Sequence, residues 1–135
     1  MSQPLPDATE AEWAVMELLW EKEPLTVRQL ADALYPRGGA SEYATVHKLL
    51  ERLKSKGYVR RARTGSVYVF HADVRRDDVI GQQLEALVEK MCGGSLQVLL
   101  SNLVRVKRLT RSELRELFVL VDELESKKRS DRDRR

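Results

Sequence analysis

Five residues near the middle of the chain, Tyr43, Ala44, Thr45, His47 and Lys48, have the types and spacing to read base edges. They are interleaved with Val46, Leu49, Leu50 and Leu53, whose i, i+3, i+4, i+7 spacing is the buried stripe of an amphipathic helix. The five therefore fall on the solvent-facing arc of that helix. Thr45 offers a hydroxyl or a methyl, Ala44 a methyl for contact with thymine, and His47 and Lys48 donors for purine acceptors. Short side chains also let a helix lie deep in a major groove ~12 Å wide. The competing reading of the same residues is an ordinary solvated helix face.

A second set, Arg52, Lys54, Arg61 and Arg63, has the charge to bind phosphate. Alternation along a strand puts Arg61 and Arg63 on one face and turns Arg60 away. Arg52 has an equal alternative as a surface ion pair with Glu51 or Glu42. The net charge of +3 conceals a strong segregation: residues 41–76 hold nine Lys/Arg against three Asp/Glu, whereas residues 1–40 hold three against seven. Clustering of this kind builds a local field that attracts phosphate, which the modest total would not. The end of the chain, Lys127 to Arg135, is also basic and reads as an added phosphate contact or a solubilising end.

Other chemistries find little support. Cys92 is the single cysteine, which excludes an intramolecular disulfide and any metal site built on paired cysteines. His47, His71 and Cys92 fall on three separate elements without ligand spacing. Asp77, Asp78, Glu85 and Glu89 sit in the first turns or on the outer face of a predicted helix, where carboxylates favour the dipole and solubility. No glycine-rich phosphate loop follows a strand, and no nucleophile has a histidine placed beside it. The expectation is a non-enzyme with no cofactor. No apolar run approaches ~20 residues, and residues 1–7 lack the basic start and apolar core of a signal peptide. A soluble, cytoplasmic protein without membrane insertion is expected.

The elements that must position these residues are legible in the pattern. After a loose arm (1–8), Thr9 and Glu12 form a capping box for a helix running to about Trp20. It is expected to bury Trp13, Met16, Leu19 and Trp20, with Val15 and Leu18 flanking, and to stop at Pro24. Thr26 caps a second helix with Val27, Leu30, Ala31 and Leu34 inward, and Pro36 ends it. The third helix closes at Gly57. Two strands follow, Tyr58–Arg63 and Ser66–His71, joined by Thr64 and Gly65, with Leu25 as a short third strand. Beyond them the period becomes helical throughout: 75–91, a short helix capped by Ser95, and a last one opened by a second capping box, Thr110 with Glu113. The predicted fold is mainly α. A winged helix-turn-helix domain with a small three-stranded wing (1–73) precedes a three-helix dimerisation domain (74–126) and a charged, disordered tail (127–135).

Three short helices bury little area alone. The apolar residues Leu84, Leu87, Leu96, Leu99, Leu100, Leu103, Leu114, Leu117, Phe118 and Val121 are therefore expected to meet a second copy of the chain in an isologous, two-fold interface.

Several segments together resemble the penicillinase-repressor family, the BlaI/MecI proteins and the related copper-responsive repressors of the CopY type. They are the run from Thr9 to Trp20 (TEAEWAVMELLW), Thr26 to Leu30 (TVRQL), and Ala44 to Gly57 (ATVHKLLERLKSKG), which is similar to the family's recognition-helix signature. Tyr68 with Phe70, Gly93 with Gly94, and the L-x-x-x-E-L-x-E-L run from Leu109 to Leu117 complete the match, over about residues 7–126. The resemblance implies a homodimeric winged-helix repressor bound to a palindromic operator in double-stranded DNA. In antibiotic-responsive members it implies a sensor protease as partner, and the cleaved Asn-Phe bond of the family aligns with Asn102 and Leu103. Here the Phe is replaced. Copper-responsive members carry a C-terminal Cys-x-Cys pair, which this chain lacks, so copper control is not expected. The expected function is thus promoter occlusion by a dimeric, sequence-specific repressor. The alternatives are a winged-helix module that binds an acidic protein, or a small-molecule-sensing regulator.

Overall fold

A computed structural model describes residues 5–133. In chain order its elements are α1 (Glu10–Lys22), α2 (Val27–Leu34), α3 (Ala40–Lys56), β1 (Val59–Thr64), β2 (Val67–Ala72), α4 (Arg76–Met91), α5 (Leu96–Arg105) and α6 (Arg111–Asp133). They fall into two compact units, the first ending at Ala86 and the second beginning at Leu87.

The first unit is a helix-turn-helix closed by a β-hairpin. Its core joins Val15, Met16 and Leu19 of α1, Val27, Leu30 and Ala31 of α2, and Val46, Leu49, Leu50 and Leu53 of α3. Tyr58, Val59, Phe70 and Val79 complete it. Each buried Val, Leu, Met or Phe side chain among them contributes roughly 1.5–3 kcal/mol by leaving water. Thr9 with Glu12 forms the reciprocal box predicted at α1, and Thr26, predicted as a cap alone, forms a second box with Gln29 at α2. Gly57 takes the left-handed conformation at φ 87°, and its N–H donates to the carbonyls of Leu53 and Lys54. Gly38, in the turn before α3, has no room for a side chain: a Cβ there would stand 2.7 Å from Glu42 Cγ.

The structure corrects several expectations. Val15, assigned a flanking place, is fully buried, while Trp13 and Trp20 are only partly buried. The two indoles meet edge to face at 5.1 Å, and Trp20 Nε1 donates to the Val74 carbonyl at 2.9 Å. An indole N–H needs a partner when it leaves water, and Trp20 finds one at the boundary of the core. The hairpin turns on Gly65 and Ser66 rather than Thr64 and Gly65, with register Val59↔Ala72 through Thr64↔Val67. Gly65 supplies the positive φ (65°) that a tight hairpin turn needs at its first position. The wing is two-stranded. Leu25 adds only a single bridge to Phe70, because Pro24 and the capping residue Thr26 on either side leave no room for a strand.

Part of the expected loose arm is also tied down. The Pro6 carbonyl accepts from Tyr58 Oη (2.5 Å), that of Asp7 from Lys56 Nζ (2.9 Å), and Leu5 N–H donates to Gln82 Oε1 (3.0 Å). Residues 1–4 of the arm lie outside the described residues.

In the second unit Ser95 Oγ accepts from Val98 N–H at the start of α5, and Thr110 with Glu113 forms the capping box of α6. The Thr110 hydrogen bonds hold the Glu113 carboxyl below its usual range. Neither α5 nor α6 buries a residue. Leu99, Leu100 and Leu103 are half-buried, while Leu96, Leu114, Leu117, Phe118 and Val121 are exposed, as are Leu84 and Leu87 on α4. The tail expected to be disordered continues α6 to Asp133; Arg134 and Arg135 lie outside the described residues. Lys, Arg and Glu are good helix formers, and Glu123/Lys127 and Glu125/Arg129 stand at the i, i+4 spacing that favours a helix.

Candidate nucleic-acid interface

Helix α3 carries the first set of candidate residues. Gly39 is its N-cap, and Glu42 Oε2 accepts the Gly39 N–H at 2.8 Å. That hydrogen bond holds the Glu42 carboxyl below its ordinary range. Glu42 is thereby committed to the cap. Val46, Leu49, Leu50 and Leu53 lock the inner face, and Tyr43, Ala44, Thr45, His47 and Lys48 are all exposed. At 100° per residue Ala44 and Lys48 lie along the crest of the outer face, with Thr45 on one flank and Tyr43 and His47 on the other. Ser41 falls on the same crest as Lys48 and is exposed, a residue passed over in the sequence because it reads as the start of the helix. Thr45 Oγ1 donates to the Ser41 carbonyl at 3.0 Å, which leaves its methyl and its acceptor lone pairs outward.

The second set divides by charge pairing. Ion pairs between described residues join Lys56 to Glu12 and Arg60 to Asp73, and His71 Nδ1 lies 3.7 Å from Glu23 Oε1. Lys48, Arg52, Lys54, Arg61 and Arg63 have no carboxylate within 4.0 Å among the described residues, and all five stand open to solvent. The alternative pairing of Arg52 with Glu51 or Glu42 is therefore not formed. On the wing, strand alternation separates Arg60 from Arg61 and Arg63. Arg60 lies 3.8 Å from Asp73, whereas the guanidinium carbons of Arg61 and Arg63 lie 4.2 and 5.6 Å from the centroid of Tyr68. Arg63 Nε also donates to the Gly65 carbonyl at 3.2 Å.

An ion pair between Lys56 at the end of α3 and Glu12 of α1 is marked by nothing in either segment's own pattern. Glu12 is fully buried and its Oε1 lies 2.7 Å from Lys56 Nζ. Burial alone would push its carboxyl up; hydrogen bonds from Lys56 and Thr9 outweigh this and hold it below the usual range. Tyr58 beside it is pushed up by burial and by the charges of Asp7 and Glu12. Among the described residues no three His, Cys, Asp or Glu side chains gather as a metal site, and no helix is long and apolar enough to cross a membrane.

Asn102 and Leu103 lie inside α5. Asn102 Nδ2 donates to the Val98 carbonyl at 2.8 Å, and its Oδ1 accepts from Arg105. The bond between Asn102 and Leu103 is thus part of a formed helix.

The family described as penicillinase repressor matches residues 8–123, which span both units. The chain belongs to the penicillinase repressor family. It is a family of transcriptional repressors rather than enzymes. The chain is 23% identical over 117 residues to the penicillinase repressor of Staphylococcus aureus, covering 87% of this chain and 92% of that one. To the penicillinase repressor of Bacillus licheniformis it is 22% identical over 125 residues, covering 93% and 97%. The solution structure of the DNA-binding domain of the repressor BlaI superposes with a TM-score of 0.48 at 24% identity, covering 58% of this chain and 93% of that one. Within this repressor the family match embraces α3, the wing, and all of α4 and α5.

Proposed function

We propose that this penicillinase-repressor family member is a homodimeric, sequence-specific DNA-binding repressor that occludes a promoter by binding a palindromic operator. The observation that carries this reading is the surface formed by α3 and the wing. Lys48, Arg52, Lys54, Arg61 and Arg63 stand there without carboxylate partners among the described residues, around a crest of small and polar side chains. Tyr43, Ala44, Thr45, His47 and Lys48 read base edges in the major groove. Arg52, Lys54, Arg61 and Arg63 neutralise phosphate, which sets affinity and register but not sequence.

The two-fold partner is a second copy of the chain. Support comes from α5 and α6, which bury no residue and expose Leu96, Leu114, Leu117, Phe118 and Val121. Contiguous apolar faces of this kind mark interaction sites. With Leu84, Leu87, Leu99, Leu100 and Leu103 they form the dimerisation surface of a domain spanning 74–126. The protein acts in the cytoplasm, where its DNA is. Cleavage between Asn102 and Leu103 by a sensor protease is the proposed release step.

The test is binding of the full chain to a duplex carrying its operator and to a random duplex, across a salt series. The reading requires a clear preference for the operator and a steep fall of affinity with salt. A partner protein rich in acidic residues that binds tightly, with no duplex binding at all, would favour the protein-interaction reading.

A further inference from the structure

The wing carries an arrangement that phosphate contact by two arginines does not by itself explain. Arg63 stands directly opposite Tyr68 in the hairpin, and Arg61 lies two residues along the same face. Both guanidiniums stack over the one ring, at 4.2 and 5.6 Å. At the base of this face Val59 and Phe70 are buried in the core, but Tyr68 is 44% exposed. The core face of the hairpin thus continues past the edge of the domain as two cations on an aromatic plate.

Two like charges over one ring repel each other. The negative face of the ring offsets part of that repulsion. No carboxylate of the described residues comes within 4.0 Å of either arginine, whereas Arg60 on the opposite face has Asp73. Packing alone would be served as well by neutral neighbours. A stacked guanidinium also keeps N–H donors free for bidentate hydrogen bonds to phosphate; Arg63, whose Nε donates to the Gly65 carbonyl, keeps its two terminal nitrogens for this. Stacking removes in advance the side-chain freedom that a loose arginine gives up on binding.

We propose that Tyr68 is a positioning residue for DNA backbone contact: its ring holds Arg61 and Arg63, donor edges outward, as a preformed phosphate clamp. The proposal rests on the DNA-binding reading above.

The experiment measures binding of the full-length protein to a labelled random-sequence duplex at one fixed salt, since phosphate contacts do not depend on sequence. Tyr68→Leu keeps bulk but removes the π-face and should weaken binding about 3- to 10-fold. Tyr68→Phe, which keeps the π-face, should restore it. In an Arg61→Gln/Arg63→Gln background, Tyr68→Leu should change nothing further. Thermal melts accompany each variant, and Tyr68→Ile, a stronger strand former, replaces Leu if the hairpin loosens. An equal loss in the arginine-free background would overturn the proposal and leave Tyr68 a packing residue. Wild-type binding by Arg61→Gln/Arg63→Gln would remove the clamp while leaving DNA binding intact. Failure of the unmutated protein to bind any duplex would instead overturn the functional reading, and the clamp with it.

Discussion

Lys56 Nζ lies 2.7 Å from Oε1 of the fully buried Glu12, joining the end of α3 to the first turn of α1. The same ammonium donates to the Asp7 carbonyl at 2.9 Å, so the end of the helix proposed to read DNA, the first helix and the arm share one charge. Glu12 Oε1 also accepts the Thr9 N–H at 2.9 Å; its Oε2 has no partner among the described residues. The pair therefore fixes α3 at its far end, while the Leu/Val stripe fixes its length.

Breaking this pair should destabilise the first unit. Lys56→Met leaves a buried carboxylate unpaired and should cost about 3 kcal/mol near neutral pH, the low end for such a loss because Lys56 still touches water. Adding Glu12→Gln should recover part of that loss. Chemical denaturation of the single and double variants measures both, and an additive double variant would contradict the pairing.

The same carboxyl gives a pH dependence. Its folded-state pKa is depressed, so the stability it contributes is present above the ordinary carboxylate range and is lost as pH falls through the lower, folded-state value. The wild type should lose stability on the acid side of pH ~4.5, and Glu12→Gln should show a flatter acid limb. Identical acid limbs would show that other carboxylates dominate.

Base reading by α3 predicts a split between sequences. Thr45→Ala or His47→Ala should each cost ~1–3 kcal/mol on operator DNA and much less on random DNA. Equal losses on the two duplexes would remove these residues from the reading set.

Phosphate binding predicts a contrast within the wing. Arg63→Ala should make the plot of log K against log salt shallower by ~1 unit for each phosphate no longer neutralised, hence ~2 per dimer. Arg60→Ala should leave the slope alone, because Arg60 faces away toward Asp73. Equal slopes for the wild type and Arg63→Ala would take Arg63 off the phosphate surface.

Cleavage within α5 predicts a fall in operator occupancy without change at α3. Because the Asn102–Leu103 bond is inside a helix, a protease needs local opening first. With a designed protease site at 102–103, cutting the purified protein should separate α6 covalently and weaken operator binding, since half-sites then act singly. A cut protein that stays dimeric with undiminished affinity would break the proposed link.

Most of this architecture is legible in the sequence because local rules and packing agree. The caps at Thr9, Thr26, Ser95 and Thr110, the stripe of α3 and the stop at Gly57 each follow from residue type and spacing. What escaped was non-local. Glu12 reads as a capping residue and Lys56 as a solvent-facing lysine; nothing in their own segments reveals that they meet. The hairpin turn moved by one residue along both strands, which shifts partners by two positions and preserves faces. The grouping of Arg61 with Arg63 therefore survived, while their shared ring, Tyr68, was invisible without the register. The tail misled for the opposite reason. Its charge signals disorder, yet the same residues are good helix formers and extend α6.

The central claim is that two copies of α3 read a dyad in duplex DNA. Selection of duplexes from a random library by the full-length protein tests it most directly, because it assumes no operator. The account predicts enrichment of a dyad-symmetric site whose half-sites are spaced by about one helical turn, ~34–36 Å, or a multiple of it. A bound pool that remains as random as the starting library would contradict sequence-specific binding, and enrichment of a single asymmetric site would contradict the two-fold dimer.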